Sequence, residues 1–209
     1  SIGEWDVGLS YFYGTSREPR FVIQPDAIDP LAGTVSKTTP LYEIINQASL
    51  DLQAIYGSWL WKLEAFTRGG QGDRFSAAAG GFEYTFVGVR ESAIDVGIIA
   101  EYLYDGRDDK IGSTELSPGT PFSTSPFQND LVVGTRITLN DMQSTELLVV
   151  GIIDLEGNGQ TFTAEASRRI GSNWIVSLEG SAFSNVPEDT SLVSFKKDSN
   201  IRLMLTRYF

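Results

Sequence analysis

The most constraining feature of this sequence is an alternation of apolar and polar residues that recurs in ten separate segments. In residues 5–13, for example, Trp5, Val7 and Leu9 alternate with polar residues such as Asp6. Successive side chains of a β-strand point to opposite sides, so each segment predicts a strand with one apolar and one polar face. The predicted strands cover residues 5–13, 46–56, 59–68, 75–87, 94–104, 130–140, 145–154, 161–170, 174–184 and 200–209.

The connections between these segments alternate in length. Long connections cover residues 14–43, 105–129 and 185–199, whereas the connections after residues 56, 87, 140 and 170 are short. An antiparallel up-and-down barrel in an outer membrane combines short turns at one end with long loops at the other, and its strands have about 9–11 residues. We therefore expect residues 1–209 to form a single all-β domain, a transmembrane antiparallel β-barrel with about ten strands in this chain.

A barrel with its apolar face turned inward, as in soluble up-and-down barrels, gives the same alternation. Three features favour the membrane version. They are the strand length, the one-sided distribution of long connections, and the aromatic residues grouped at strand ends, such as Tyr56, Trp59, Tyr102 and Trp174. The longest apolar run, residues 147–153, is far shorter than the roughly 20 residues of a membrane-spanning helix.

Composition removes several classes of function. The chain has no His and no Cys, which excludes imidazole bases, disulfides and cysteine metal sites. Its net charge of −11 opposes binding to nucleic acid. Acidic turns such as residues 105–110 lack the ligand spacing of a calcium loop. The sequence therefore predicts no catalytic residues, no metal site and no cofactor, and we expect that the protein is not an enzyme.

The polar face of the predicted strands carries charges of both signs. In a membrane barrel this face lines the interior, so the predicted lumen-lining charges are Asp51, Lys62, Glu64, Arg68, Glu83, Asp95, Glu101, Arg136, Glu146, Glu165, Arg169, Glu179 and Arg202. Two interpretations remain open. The excess of carboxylates gives a water-filled, cation-favouring lumen, or opposite charges on neighbouring strands pair and close a narrow interior.

The last predicted strand carries the most specific motif. Ile201, Leu203, Leu205 and Phe209 share one face, and the chain ends on the aromatic residue. This segment resembles the closing strand of bacterial outer-membrane β-barrel proteins, in which a terminal Phe and the apolar positions before it form the signal for the barrel-assembly machinery. One position departs from the pattern, because Arg207 stands where the family usually has an aromatic residue.

Residues 11–19 and 203–209 also look like the C-terminal part of uncharacterised porin-like outer-membrane proteins. The resemblance implies localisation in the outer membrane of a Gram-negative bacterium and contact with membrane lipid and lipopolysaccharide. It leaves open whether a longer barrel extends upstream of residue 1, and it identifies no oligomeric partner. The function we expect is a passive pore for small solutes or ions. The alternative is a non-conducting structural or binding barrel that displays acidic loops, as part of an outer-membrane complex.

Overall fold

The computed structural model describes residues 3–25, 36–107, 121–122, 127–186 and 191–209. Within the three predicted long connections, residues 26–35, 108–120, 123–126 and 187–190 lie outside the described residues. The described chain is an all-β, antiparallel structure. Its thirteen strands are β1 (Trp5–Thr15), β2 (Arg20–Pro25), β3 (Ser36–Leu41), β4 (Ile44–Tyr56), β5 (Trp59–Gly69), β6 (Phe75–Phe86), β7 (Asp95–Asp105), β8 (Pro121–Phe122), β9 (Asn129–Thr138), β10 (Glu146–Asp154), β11 (Gln160–Ile170), β12 (Trp174–Ser184) and β13 (Asn200–Arg207).

Ten of these strands form one up-and-down sheet in the order β1-β4-β5-β6-β7-β9-β10-β11-β12-β13. All ten predicted strands are present in this sheet, and each pairs antiparallel with the next. β1 and β13 are its two edges, and no ladder joins them among the described residues, so the described sheet is open. The predicted closure into a barrel stays a prediction.

The four predicted short connections, which follow β4, β6, β9 and β11, all lie at one end of the sheet, called here the turn end. Gly57 and Ser58 form a two-residue hairpin there, and Gly57 has a φ of 58°, which glycine adopts without strain. The opposite end is called the loop end. Two short strands, β2 and β3, form inside the first predicted long connection, and β8 pairs with β2 to make a separate three-stranded sheet.

The two faces of the ten-strand sheet differ sharply. Apolar side chains on one face are solvent-exposed, with Leu9 at 80%, Tyr11 at 71% and Ile201 at 82% of full exposure. The buried hydrophobic residues of the described chain are few: Ile45, Ala54, Ala77, Val132 and Val186. The apolar face is therefore not covered by any other layer of the described structure. None of the helical segments within the described residues has the length and apolar character needed to cross a bilayer.

Aromatic residues cluster on the apolar face at the turn end. The rings of Trp59 and Trp61 stack with their centroids 5.5 Å apart, and Trp59 also contacts Tyr84 at 4.6 Å. Trp5 donates a hydrogen bond of 3.0 Å from its indole nitrogen to the Tyr56 hydroxyl. The grouping of aromatic residues at strand ends, predicted from the sequence, is present at this end of the sheet.

Candidate functional site: a charged face

The register places every charged residue predicted from the sequence on one face of the sheet. Residues directly opposite each other in a ladder share a face, which connects Asp51 to Glu64 across β4 and β5. The same chain of pairings joins the other members across the sheet: Lys62, Arg68, Glu83, Asp95, Glu101, Arg136, Glu146, Glu165, Arg169, Glu179 and Arg202. This surface is called the polar face below. That it lines a lumen stays a prediction.

Like charges stand directly opposite each other at three places on the polar face, one of which is Asp130 opposite Asp154 near the loop end. Asp51 pairs with Glu64, and Glu165 pairs with Glu179. Facing carboxylates repel, and the repulsion is small only where water screens it. Glu179 also forms an ion pair with Arg202 on the next strand, with 3.5 Å between the nitrogen and oxygen atoms. Within the described residues, neither Asp51 nor Glu64 has a basic partner in ion-pair contact. Both residues are exposed in the described structure, so water screens the repulsion between Asp51 and Glu64 there.

An opposite-charge pair spans three strands of the polar face. Lys62 on β5 and Glu101 on β7 are both aligned with Gly81 on β6, and the Lys62 nitrogen lies 3.9 Å from a Glu101 carboxylate oxygen. A Cβ atom at position 81 would come within 2.1 Å of the Ala100 carbonyl oxygen and 2.7 Å of Glu101 Cγ. Glycine at this position therefore allows β6 and β7 to approach closely beneath the ion pair.

At the loop end of the polar face, four charged side chains form a network, called here the arginine cluster: Glu18, Arg68, Asp105 and Arg107. One carboxylate oxygen of Glu18 lies 2.8 Å from an Arg68 guanidinium nitrogen, and the other forms an ion pair with Arg107. Arg107 also donates hydrogen bonds to both carboxylate oxygens of Asp105. The cluster thus ties the chain after β1 to β5 and to the end of β7.

Aromatic rings and polar side chains hold the two guanidinium groups in place. Arg68 lies 5.0 Å from the ring centre of Phe66, and Arg107 lies 5.2 Å from that of Phe75, within the range of cation–π attraction. Arg68 also donates a hydrogen bond of 2.8 Å to the Gln47 side-chain oxygen. Both arginine side chains are close to nine-tenths buried, at 12% and 14% exposure. Packing therefore fixes them rather than leaving them free in solvent.

The cluster shifts the ionisation of its loop residues. Burial alone would raise the pKa of Glu18, but the hydrogen bonds from Arg68 and Arg107 outweigh it and lower this pKa below its ordinary value of 4.5. Burial alone would lower the pKa of Arg107, but Asp105 and Glu18 outweigh it and raise this pKa. Each group thus stabilises the charged form of its partner at neutral pH.

The described residues form cavities on the polar face, and two of them border predicted lumen-lining charges. The larger, about 430 Å³, lies beside the arginine cluster, and its walls include Asp51, Glu64, Phe66, Asp105 and Phe127. The smaller, about 200 Å³, is bordered by charged side chains that include Arg136, Glu146, Glu165 and Glu179. The smaller cavity is lined mainly by polar and charged side chains, whereas the larger also has apolar walls such as Ala78 and Leu103. Within the described residues, no group of three or more metal-ligating side chains comes together.

The predicted assembly strand forms the free edge β13. Its apolar residues Ile201, Leu203 and Leu205 are 82%, 72% and 60% exposed, and Phe209 is fully exposed. Phe209 lies just beyond the ladder, which ends at Arg207. The Arg207 guanidinium lies 4.8 Å from the Phe209 ring centre and 5.4 Å from that of Trp174. The residue that departs from the family pattern thus packs against the aromatic residues at the turn end.

Sequence reasoning missed Glu18, Asp105 and Arg107 as site residues, because they lie in or beside predicted long connections. One feature of the sequence indicates the arginine cluster. Phe66 and Phe75 fall on the polar face of β5 and β6, out of phase with the apolar alternation, and they form the ring contacts of the arginine cluster.

No family model matches the chain, and neither curated proteins nor solved structures give a match.

Proposed function

We propose that the ten-strand sheet closes into a transmembrane β-barrel in the bacterial outer membrane and that its polar face lines a passive pore. The exposed apolar face supports this proposal. Monomeric soluble proteins rarely expose contiguous apolar patches larger than a few hundred Å², and an outward apolar band flanked by aromatic residues is typical of outer-membrane barrels. Leu9, Tyr11, Ile201 and Leu203 belong to such a face at the two edges of the sheet, where closure would join them.

The facing pair of Asp51 and Glu64 is the observation that supports a wet interior best. In an apolar interior, two unpaired carboxylates would cost several kcal/mol each or would take up protons. A water-filled passage removes that cost. Glu165 opposite Glu179 is another facing pair, and Arg202 forms an ion pair with only one of these two carboxylates, so that side of the closed barrel would be hydrated as well.

The proposed pore favours cations. The polar face carries more carboxylates than bases, and a net-negative passage attracts cations and repels anions. Glu83 on β6 and Glu101 on β7 lie near the middle of the sheet, where a permeating ion would pass them. The solutes we propose are therefore small cations or small neutral solutes, moving down their gradients.

The arginine cluster favours a second candidate, a non-conducting structural or binding barrel. Glu18 binds Arg68 and Arg107 at once and so holds the first long connection against the sheet. A connection held in this way narrows the loop end of the interior. Ionic current through the reconstituted protein separates the candidates, because only the pore conducts.

Membrane insertion and orientation are tested on intact cells. The turn end, with Gly57, would face the periplasm, and the loop end, with Gly157, would face outside, because long loops of outer-membrane barrels are extracellular. The chain has no cysteine, so Ser58→Cys in the Gly57 turn and Gly157→Cys provide single labelling sites. We expect a membrane-impermeant thiol reagent to label position 157 and not position 58. Labelling of position 58 alone would reverse the orientation, and absence of both variants from the outer-membrane fraction would contradict insertion.

The proposed barrel also implies how the protein is assembled and which parts of the membrane surround it. The terminal strand, with Phe209, would be recognised by the barrel-assembly machinery, and the outer leaflet would place lipopolysaccharide around the loop end. Trp5, Trp59 and Trp174 at the turn end would lie at the inner interface, where indole rings are favoured because one part is apolar and the N–H is polar.

A further inference from the structure

The apolar face has a groove near the turn end, between β9 and β12. Its floor is one cross-strand row, in which Ile137, Leu147, Ala166 and Leu178 are directly aligned. Ala166 is much shorter than the residues on either side of it, so the row is indented at that position. The groove has a volume of about 330 Å³, and Val176 adds to its apolar wall. A volume of roughly 300 Å³ or more is typical of small-molecule sites.

A charged pair stands at the turn end of this groove. Arg168 occupies the apolar face of β11, because it lies two residues beyond Ala166, and it borders the groove. Its guanidinium nitrogen lies 3.3 Å from an Asp141 carboxylate oxygen, and the two side chains are 48% and 26% exposed. Arg168, like Arg207, places a charge on a mainly apolar face, and charges that face lipid are tolerated best near the interface.

Thr145 forms hydrogen bonds with both members of the pair, Asp141 and Arg168. Its backbone N–H and its hydroxyl each donate a hydrogen bond of 2.8 Å to Asp141, and the hydroxyl accepts one of 2.9 Å from Arg168. The two Thr145 hydrogen bonds lower the pKa of Asp141, so this carboxylate is ionised at neutral pH. The groove therefore ends in one fixed positive and one fixed negative charge.

We propose that this groove binds a zwitterionic phospholipid, with an acyl chain along Ala166, the phosphate at Arg168 and the headgroup ammonium at Asp141. The inference rests on the proposed membrane barrel, which places the turn end at the periplasmic interface. Charge complementarity selects the occupant. A phosphatidylethanolamine headgroup has one negative and one positive group, which match the pair, whereas a purely anionic headgroup meets repulsion from Asp141.

The acyl chain also has a defined place. The Ala166 row crosses the strands two residues farther from the turn end than Arg168, so an acyl chain on it would lie on the membrane side of the charged pair in the proposed orientation. Van der Waals packing along the Ala166 row holds the acyl chain, because a lipid chain that is already in hydrocarbon gains no hydrophobic transfer energy on moving onto the protein. Arg168 and Asp141 supply the selectivity between headgroups.

Native mass spectrometry of the folded protein in detergent tests the site, with phosphatidylethanolamine and phosphatidylglycerol as the titrated lipids. We expect one phosphatidylethanolamine molecule per chain to bind more tightly than phosphatidylglycerol. Ala166→Leu fills the groove and should remove this selective binding, since the acyl chain loses its packing contacts there. Ala182→Leu is the matched control, because Ala182 lies on the same face of β12, opposite Phe162 and outside the groove. It should bind lipid as the wild type does.

Asp141→Asn tests the headgroup assignment separately. It removes the charge that repels an anionic lipid and leaves Arg168, so preference should move toward phosphatidylglycerol. Equal binding of the two lipids by the wild type, or equal losses in Ala166→Leu and Ala182→Leu, would overturn the lipid site.

Heat-modifiable migration and insertion into vesicles are measured on the same samples. A chain that inserts and conducts but shows no selective lipid refutes the lipid site alone. A chain that never inserts refutes the proposed function and the lipid site together.

Discussion

The facing carboxylates Asp51 and Glu64 give a direct measure of how wet the polar face is. Asp51→Asn and Glu64→Gln each remove one charge with little change of shape. Combined in a double-mutant cycle, they isolate the repulsion between the two groups from all their other contacts. The sign of the coupling is known in advance, because like charges directly opposite in a ladder destabilise the sheet.

The size of the coupling energy depends on the dielectric constant of the medium around the two carboxylates. Two unit charges about 4 Å apart interact by about 1 kcal/mol in bulk water and by about 4 kcal/mol at an effective dielectric constant of 20. A water-filled interior therefore predicts a repulsive coupling of about 1 kcal/mol or less between Asp51 and Glu64. The coupling should also decline as salt rises from about 0.01 to 1 M, since the screening length falls from about 30 to about 3 Å.

The assay is urea-induced unfolding from lipid vesicles, followed by the fluorescence of the chain's 4 tryptophans. Asp51 with Glu146 is the control cycle, because Glu146 lies on β10, five positions from β4 in the strand order. Its coupling should be close to zero. A coupling of about 3 kcal/mol or more between Asp51 and Glu64, unchanged by salt, would refute the wet interior and favour a closed, dry one.

Three further predictions follow from other parts of the sheet. Gly81→Ala should lower the free energy of unfolding by about 1–3 kcal/mol in the same assay, because the added Cβ would overlap the backbone of β7. Gly80→Ala should lower it less, since the nearest contact of that Cβ is a flexible leucine side chain. The lowered pKa of Glu18 predicts a pH dependence of hydrogen exchange in residues 16–25, after correction for intrinsic exchange rates. Protection should be constant above the ordinary pKa of 4.5 and should be lost as the pH falls below that value. Deleting Phe209 should reduce the amount of heat-modifiable protein in the outer membrane, whereas Arg207→Tyr, which restores the usual aromatic residue, should not.

Each of these has a definite contrary result. Equal stability of the two glycine variants would mean that β6 and β7 are not as close as described. Glu18→Gln should abolish the pH dependence and give low protection throughout, so a variant that keeps the wild-type profile would exclude Glu18 as the titrating group. Normal assembly without Phe209 would show that the terminal strand is not the assembly signal.

Much of the sheet was predictable from local alternation. Residues 174–184 were predicted as a strand with the same bounds as β12, and residues 161–170 differ from β11 by one position. The predicted polar face also has the right members, because a period of two fixes the face of each residue once a strand is located. The last predicted strand is two residues too long, since the ladder ends at Arg207.

The remaining features depend on contacts that local periodicity does not report. β2 and β3 were predicted as loop because Pro25 and Pro40 break the pattern, yet proline is tolerated in strands at sheet edges and strand ends. Glu18 meets Arg68 and Arg107 from positions 50 and 89 residues away in the chain. Arg168 was overlooked because its neighbour Arg169 fits the polar phase, whereas Arg168 itself lies on the apolar face.

Reversal potential across a planar bilayer tests the central claim most directly. The protein is reconstituted with a tenfold KCl gradient, first at low and then at high mean salt. We expect discrete conductance with a reversal potential that indicates cation preference, and this preference should weaken at high salt. Glu83→Gln combined with Glu101→Gln should reduce it without unfolding the protein. An anion-selective current, or a folded and inserted protein that carries no current at any salt concentration, would contradict the pore.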